Sequence, residues 1–158
     1  MITCKFENEG DAKLRHVSTD AIVLSEEEDK ILLVKRAKDS ALFGGSYGLP
    51  GGFMDRDETL EGSMLREIKE ETGYDGKVKE LFRIIDKPER RGEDRQNVAF
   101  VFVVKVKEKT GEHDDEIESI RWFDLDKIPS QEEMAFDHLE SLKLFLENKG
   151  KIKKPIIG

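Results

Sequence analysis

Residues 52–74 read GFMDRDETLEGSMLREIKEETGY, and this stretch decides the fold because it carries the clearest helix signal in the chain. Its apolar residues recur at every fourth position, at Leu60, Met64 and Ile68. That spacing places one apolar stripe along a helix, and Gly73 is a residue type that commonly ends a helix. The pattern therefore predicts a helix over 58–71 that packs by one face against a core.

The same helix carries three carboxylates, those of Glu67, Glu70 and Glu71, at spacings that place them on one face. Like charges repel there, and the negative end of the helix dipole disfavours the last two acids by about 0.3–1 kcal/mol each. A divalent cation would reverse these penalties. Clustered carboxylates suit Mg²⁺ or Mn²⁺, and magnesium characteristically also binds substrate phosphates. The alternative is an exposed, charged helix end on which Arg66 and Lys69 neutralise the glutamates.

Outward from the helix, segments rich in branched apolar residues predict strands over 16–24, 30–36, 77–85, 97–106 and 119–123. Residues 37–53 contain five glycines and one proline, which indicates a long irregular loop. Residues 134–150 predict a closing amphipathic helix, followed by a frayed tail over 151–158. The economical fold class is α/β (α+β), with a central mixed sheet, helices on both faces and a single domain over 1–158.

The composition limits the possible partners. The chain has 158 residues, enough for one domain, and its net charge of -8 argues against a nucleic acid duplex as partner, because duplex binding needs clustered Lys and Arg. No apolar run approaches the roughly 18 residues of a membrane span, and the N-terminus lacks the apolar core of a signal peptide. We therefore expect no membrane partner and a cytoplasmic location. The lone Cys4 offers no disulfide or zinc pair.

Residues 52–74 resemble the Nudix box, which is a glycine, five residues, Glu, seven residues, Arg-Glu, an aliphatic residue, any residue, Glu-Glu, any residue, Gly and an aliphatic residue. The positions that match in register are Gly52, Glu58, Arg66, Glu67, Ile68, Glu70, Glu71 and Gly73. Tyr74 departs from the usual aliphatic residue. The flanking segments ILLVKRA, YGLPGG and DEIESIRWFDLDKIP also look like parts of this family. The sequence is therefore similar to Nudix hydrolases over most of its length.

The resemblance implies a Nudix-like α/β/α sandwich and a metal-dependent reaction, in which water attacks one phosphorus of a diphosphate. It implies that Glu67, Glu70 and Glu71 hold Mg²⁺ or Mn²⁺ together with the carbonyl of Gly51. It assigns supporting roles to residues around them, namely Arg66, Glu58 and Gly52. A general base is expected in the box or in a later acidic loop, where the candidates are Asp114, Asp115, Glu116 and Glu118. We favour Glu116, and a merely solvated loop stays the alternative.

Three arginines, Arg90, Arg91 and Arg95, lie in the polar segment KPERRGEDRQ and could grip a terminal phosphate. Arg36 could also face the phosphates, or could pair with an acidic neighbour. Aromatic residues around the glycine-rich loop could stack on a base, although packing roles are favoured for all of them: Tyr47, Phe43 and Phe53. His138, in the segment AFDHLESL, could lie near the site, although a lone histidine on an amphipathic helix is usually structural.

Two weak features favour ADP-ribose or a similar nucleoside diphosphate derivative as substrate. Pro88 lies near the position where members that cleave ADP-ribose carry a proline, and the segment AFDH is similar to one in that branch. The enzymatic alternative is hydrolysis of nucleoside triphosphates, including oxidised ones. An alternative of another class is a non-catalytic, nucleotide-sensing module, which would be expected to lack the box glutamates. A monomer and a homodimer are both compatible with the sequence.

Overall fold

The computed structural model describes residues 2–5, 8–92, 96–149, 151 and 154–158. Arg95, one of the predicted phosphate contacts, lies outside the described residues. The elements in chain order are β1 (Ile2–Lys5), β2 (Asp11–Leu14), β3 (His16–Leu24), β4 (Lys30–Arg36), β5 (Tyr47–Gly48), β6 (Gly51–Phe53), α1 (Leu60–Thr72), β7 (Tyr74–Ile85), β8 (Asn97–Lys109), β9 (Ile117–Asp124), α2 (His138–Asn148) and β10 (Ile156–Ile157).

The central sheet is mixed, as predicted. Its main path runs in the order β10-β7-β8-β3-β4-β5, with β6 also paired to β3 and β9 to β4. The pairs β3–β8 and β10–β7 are parallel, and the other pairs are antiparallel. β3 pairs with β4 only at Val23 and Leu24, while its Ser18–Asp20 part pairs with β6. β3 and β4 therefore diverge, and the glycine-rich β5–β6 turn lies between them.

The two helices pack on opposite faces of this sheet, which confirms the predicted layers. On one face, Met64 and Ile68 of α1 are completely buried in a cluster with side chains of β3, β4 and β8. On the other face, Leu142 and Phe145 of α2 belong to a second cluster with alternate side chains of the same strands. This alternation is the period of two that strands impose. No helix among the described ranges is long and apolar enough to cross a membrane.

Helix α1 is fixed at both ends by its own sequence. The side chain of Thr59 caps the first turn by accepting a hydrogen bond from the amide of Gly62 at 3.1 Å. At the other end Gly73 has φ 73°, and a Cβ atom there would lie 2.1 Å from the carbonyl oxygen of Gly111. Only glycine fits that position. These caps set the rotation of the helix, and with it the direction of its carboxylates.

Three expectations about local structure were wrong or incomplete. The second helix begins at His138 and not at 134, because the backbone of 133–135 pairs with Tyr47, whose amide donates to Glu133 and whose carbonyl accepts from Ala135. The tail is not frayed where it is described, since β10 pairs with Arg83 and Ile84 of β7. The hairpin formed by β1 and β2 was not predicted, since each of its strands has only four residues.

Candidate active site

A cavity of about 480 Å³ opens where β3 and β4 diverge, within the size range of small-molecule sites. Its walls come from β3, β4, the β5–β6 turn, α1, and the loops before β9 and α2. Residues that the sequence singled out line it together: Arg36, Gly51, Gly52, Arg66, Glu67, Glu70, Glu71, Arg90 and Glu116. The fold therefore brings the conspicuous helix face and the late acidic loop to one place.

Arg66 organises the exposed part of the carboxylate cluster. Its Nη1 donates to Glu67 at 2.8 Å and to Glu70 at 2.9 Å, and its Nε donates to Glu58 at 2.7 Å. Hydrogen bonds from Arg66, followed by one from the amide of Asp55, lower the pKa of Glu58 to about 2. The Arg66 guanidinium thus holds together the carboxylates of Glu67 and Glu70 on α1 and that of Glu58 just before the helix.

Glu71 occupies a different environment, because its side chain is directed into the protein and the residue is only 7% exposed. One carboxylate oxygen accepts a hydrogen bond from the amide of Gly51 at 2.8 Å. Burial raises the pKa of Glu71 well above its ordinary value, and the charges of Glu67 and Asp114 act in the same direction. A buried carboxylate in this position needs a proton or a cation to offset its charge.

The glycines of the β5–β6 turn allow the backbone to reach these carboxylates. A Cβ atom on Gly52 would lie 2.6 Å from Oε1 of Glu67, and one on Gly51 would lie 2.1 Å from the carbonyl oxygen of Thr19. Neither position has room for a side chain. The turn therefore places bare backbone directly against the acidic face of α1.

This donor set fits a divalent ion of the magnesium type, since it consists of carboxylate oxygens with a backbone carbonyl nearby. Within the described part of the chain, no three His, Cys, Asp or Glu side chains already converge on one point, and Arg66 instead bridges Glu67 and Glu70. The Glu70 side chain is 50% exposed. Glu70 could therefore leave its hydrogen bond with Arg66 and bind an ion without the movement of a buried side chain.

The late acidic loop contributes two carboxylates to the cavity lining, those of Asp114 and Glu116. The backbone of this loop is fixed on both sides. The amide of Asp114 donates to the backbone carbonyl of Glu70, and the backbone carbonyl of Glu116 accepts from the amide of Ala37. Of the other base candidates, Glu118 pairs with Lys35 at 2.9 Å, and Asp115 lines only a smaller recess next to the cavity. Glu116 and Asp114 remain the two candidates that face the site.

The structure separates the predicted substrate contacts into two groups. Arg36 and Arg90 line the cavity, whereas Tyr47 and Arg91 do not. Tyr47 packs edge-on against Phe123 with ring centroids 5.1 Å apart. Both arginines of the 90–91 pair are engaged by the segment before α2, where Arg90 forms a bidentate ion pair with Asp137 and Arg91 donates to two backbone carbonyls. In this arrangement both guanidinium groups contact protein groups.

Two buried titratable residues in the cavity wall were missed as site residues. Asp20 is 8% exposed, and burial raises its pKa to about 6. Its signal was an acid inside the apolar run HVSTDAIVL. His138 is also 8% exposed, and its Nε2 lies 3.8 Å from the Asp20 carboxylate. Its position in the cavity depends on where α2 begins, which the sequence pattern placed four residues too early.

Comparison with known proteins agrees with this geometry. A family model of the NUDIX domain matches residues 14–145. An ADP-ribose pyrophosphatase of Methanocaldococcus jannaschii is 37% identical over 132 residues, which cover 82% of this chain and 72% of that protein. The diphosphoinositol polyphosphate phosphohydrolase 3-alpha of Mus musculus is 30% identical over 127 residues, which cover 76% and 73%.

Among solved structures, a NUDIX hydrolase from Nitrosomonas europaea superposes with a TM-score of 0.76 at 25% identity, covering 99% of this chain and 90% of that one. An ADP-ribose pyrophosphatase from Streptococcus suis shares the fold with a TM-score of 0.70 at 22% identity, covering 92% and 100%. The family match spans most of the chain and includes both the helix with its three glutamates and the glycine turn that faces them. This chain belongs to the Nudix family.

Proposed function

We propose that the protein is a divalent-metal-dependent hydrolase that cleaves the diphosphate linkage of a nucleoside diphosphate derivative, with ADP-ribose as the favoured substrate. The observation that carries the proposal is that Glu67, Glu70 and Glu71 line one cavity of about 480 Å³, with Glu71 against the amide of Gly51 and Glu67 against the bare backbone of Gly52. The 37% identical relative named as an ADP-ribose pyrophosphatase supports the choice of substrate. We further propose a single domain that acts in the cytoplasm as a monomer or homodimer, without a nucleic acid or membrane partner.

Each residue of the box has a distinct task in this proposal. Glu67, Glu70, Glu71 and the carbonyl of Gly51 would hold Mg²⁺ or Mn²⁺, and Arg66 with Glu58 would keep the carboxylates aligned. When bound, such an ion lowers the pKa of a water molecule and neutralises charge on the phosphates. Gly52 leaves the space that the Glu67 carboxylate occupies.

The proton that leaves the attacking water needs an acceptor within the cavity. Glu116 is the candidate we favour, because it lines the cavity and its loop is fixed by backbone hydrogen bonds to Ala37 and, through Asp114, to α1. Asp114 is the second candidate in the same loop. Exchanging each for its amide, and comparing the pH dependence of turnover, separates the two.

Of the three arginines described in the cavity lining, Arg36 is the one we propose as the contact for a substrate phosphate. Its Nε donates to the carbonyl of Leu42 at 3.1 Å, and its guanidinium lies 5.5 Å from the ring centroid of Phe136. These contacts orient the side chain at the cavity wall, and its two terminal nitrogens have no acceptor among the described residues. An oriented guanidinium with unused donors is suited to bidentate contact with a phosphate.

The balance of charge in the cavity favours a substrate with one diphosphate over a highly phosphorylated one. Its acidic lining residues are Asp20, Asp55, Glu67, Glu70, Glu71, Asp114 and Glu116, whereas its basic ones are Arg36, Arg66 and Arg90. Arg66 and Arg90 are already paired with carboxylates. Even with metal bound, this lining offers few cations to a diphosphoinositol polyphosphate, the substrate that names the mouse relative.

A substrate panel with Mg²⁺ tests the proposal. It contains ADP-ribose, other nucleoside diphosphate sugars, and ordinary and oxidised nucleoside triphosphates, with products identified by mass. We expect ADP-ribose to yield AMP and ribose 5-phosphate, and Glu70→Gln to abolish that reaction. Cleavage of triphosphates but not of ADP-ribose would favour the triphosphate alternative. Tight nucleotide binding without turnover would favour a sensing module.

A further inference from the structure

We infer that His138 is a positioning residue of this site, whose ring holds the 48–51 turn against α1 and so maintains the geometry of the Gly51–Glu71 contact. The inference concerns a side chain outside the Nudix box, on the opposite side of the glycine turn. It rests on the proposed function only in that this contact lies where the ion is proposed to bind.

The first step is the direct contact between His138 and the turn. The ring is buried, and its Nδ1 accepts a hydrogen bond from the amide of Leu49 at 2.9 Å. A ring nitrogen that accepts this bond carries no proton, so the histidine is neutral with its hydrogen on Nε2. Burial also lowers the pKa of His138 to about 4, which keeps it in this form at neutral pH.

The second step is that the fit between ring and turn is close. A Cβ atom on Gly48 would lie 3.1 Å from Nδ1 of His138, a tight contact that leaves no space between them. On its other side the turn is fixed by the carbonyl of Pro50, which accepts from the amide of Ala21 of β3 at 2.8 Å. The turn is thus held at its ends by pairing with β4 and β3, and at Leu49 by the side chain of His138.

The third step leads from the turn to the carboxylates. Gly51 lies two residues beyond Leu49, and its amide donates to the buried Glu71 carboxylate at 2.8 Å. Pro50 lies between them and restricts the backbone, since its ring fixes φ. A displacement of Leu49 is therefore passed on to Gly51, which carries both the amide that binds Glu71 and the carbonyl proposed to face the ion.

The fourth step explains why two arginines contact the segment before α2. Arg90 pairs with Asp137, the neighbour of His138, with donor–acceptor distances of 2.8 and 2.6 Å. Arg91 donates to the carbonyls of Met134 and Phe136 at 2.8 and 2.7 Å. These contacts anchor the segment that presents His138. The role we assign to the arginine pair is therefore support of the histidine.

The test compares two substitutions that differ in one hydrogen bond. In His138→Asn the side-chain oxygen can accept at the place of Nδ1, whereas His138→Leu has a similar volume and no acceptor. In the metal-free protein, amide hydrogen exchange measured by NMR should be about tenfold or more faster in H138L at both Leu49 and Gly51, and close to wild type in H138N.

A second readout is the affinity for Mn²⁺ in the absence of substrate, measured by titration calorimetry. We expect H138L to weaken Mn²⁺ binding roughly ten- to a hundredfold, the range seen when groups that orient metal ligands are removed, and H138N to restore most of it. Neither readout requires turnover. Failure to hydrolyse any diphosphate would therefore refute the proposed function while leaving these two results interpretable.

Ser141→Ala is the matched control. Ser141 lies one turn further along α2, is 1% exposed, and accepts a hydrogen bond from Arg83 at 3.1 Å. Its loss should lower stability without changing Gly51 exchange or Mn²⁺ affinity. The inference is overturned if H138L accelerates exchange at Leu49 alone, or if S141A weakens Mn²⁺ binding equally. Should H138L not fold, His138→Gln replaces it, because its longer side chain directs its polar group away from Leu49, towards the place of Nε2.

Discussion

The pair formed by Arg90 and Asp137 gives the sharpest test of how this protein uses its arginines. Nε and Nη2 of Arg90 donate to the two carboxylate oxygens of Asp137 at 2.8 and 2.6 Å. The two side chains are only 3% and 11% exposed. Burial alone would raise the pKa of Asp137, but the hydrogen bonds and the charge of Arg90, together with smaller effects, outweigh it and the pKa is lowered. In the folded protein, both members of the pair are therefore charged.

The magnitude for Arg90→Ala follows from this burial. An exposed ion pair contributes at most about 1 kcal/mol, but removing one partner of a buried pair leaves an uncompensated charge and costs about 3–5 kcal/mol. We therefore expect Arg90→Ala to lower the free energy of unfolding by about 3–5 kcal/mol at pH 7. Adding Asp137→Asn should recover part of this loss, because the stranded charge is then removed.

The assay is urea denaturation in the presence of chelator. Unfolding is monitored through the fluorescence of the single tryptophan, Trp122. Arg56→Ala is the control, since the Arg56 side chain is 94% exposed and should change stability by less than about 0.5 kcal/mol. If Arg90→Ala costs less than about 1 kcal/mol and raises the Michaelis constant, Arg90 is a phosphate ligand and its assignment as the partner of Asp137 is wrong.

Three further predictions concern the carboxylates. Turnover on any diphosphate should vanish in excess chelator, and full activity there would remove the ion from the proposal. Glu71→Gln keeps an acceptor for Gly51 but removes a buried charge, so turnover should fall by orders of magnitude while the metal-free protein unfolds at the same or higher urea concentration; a less stable variant would give Glu71 a structural role. Because burial raises the pKa of Asp20 from 3.8 to about 6, its unfavourable effect on folding is absent below pH 3.8 and complete above pH 6. Asp20→Asn should therefore gain up to about 3 kcal/mol over wild type between pH 4 and pH 8, and parallel pH profiles would contradict this.

The sequence predicts those elements whose cause is local. The bounds of β3 and β4 coincide with the predicted segments 16–24 and 30–36, because both are flanked by short segments rich in charged residues. Helix α1 was predicted over 58–71 and is observed over Leu60–Thr72, with Thr59 as its cap. The three glutamates are conspicuous for the same reason, since the penalties they incur on a helix are visible without knowledge of the fold, but their assignment as metal ligands came from the resemblance to the Nudix box.

The features that the sequence did not reveal depend on contacts between distant parts of the chain. Residues 134–137 were predicted as helical, but the backbone of Tyr47, much earlier in the chain, hydrogen-bonds to Glu133 and Ala135, and Phe136 has a left-handed backbone conformation. Arg90 is separated from Asp137 by 47 residues. A polar loop rich in arginine is compatible with either a phosphate or a protein carboxylate as partner, and only the topology decides which of them lies within reach.

Several residues that line the cavity are in energetically unfavourable states. Phe136 holds a left-handed backbone conformation with φ 49°, which for a bulky residue costs on the order of 1–3 kcal/mol. Phe136, the buried Asp20 and the buried Glu71 all line the same cavity. Each is unfavourable when considered alone, and each has a neighbouring group that supports it: Arg91 donates to the carbonyl of Phe136, the amide of Gly51 donates to Glu71, and His138 lies 3.8 Å from Asp20. Phe136 and Asp20 lie outside α1, so their presence in the cavity lining is a second argument for placing the chemistry there that does not depend on the glutamates of α1.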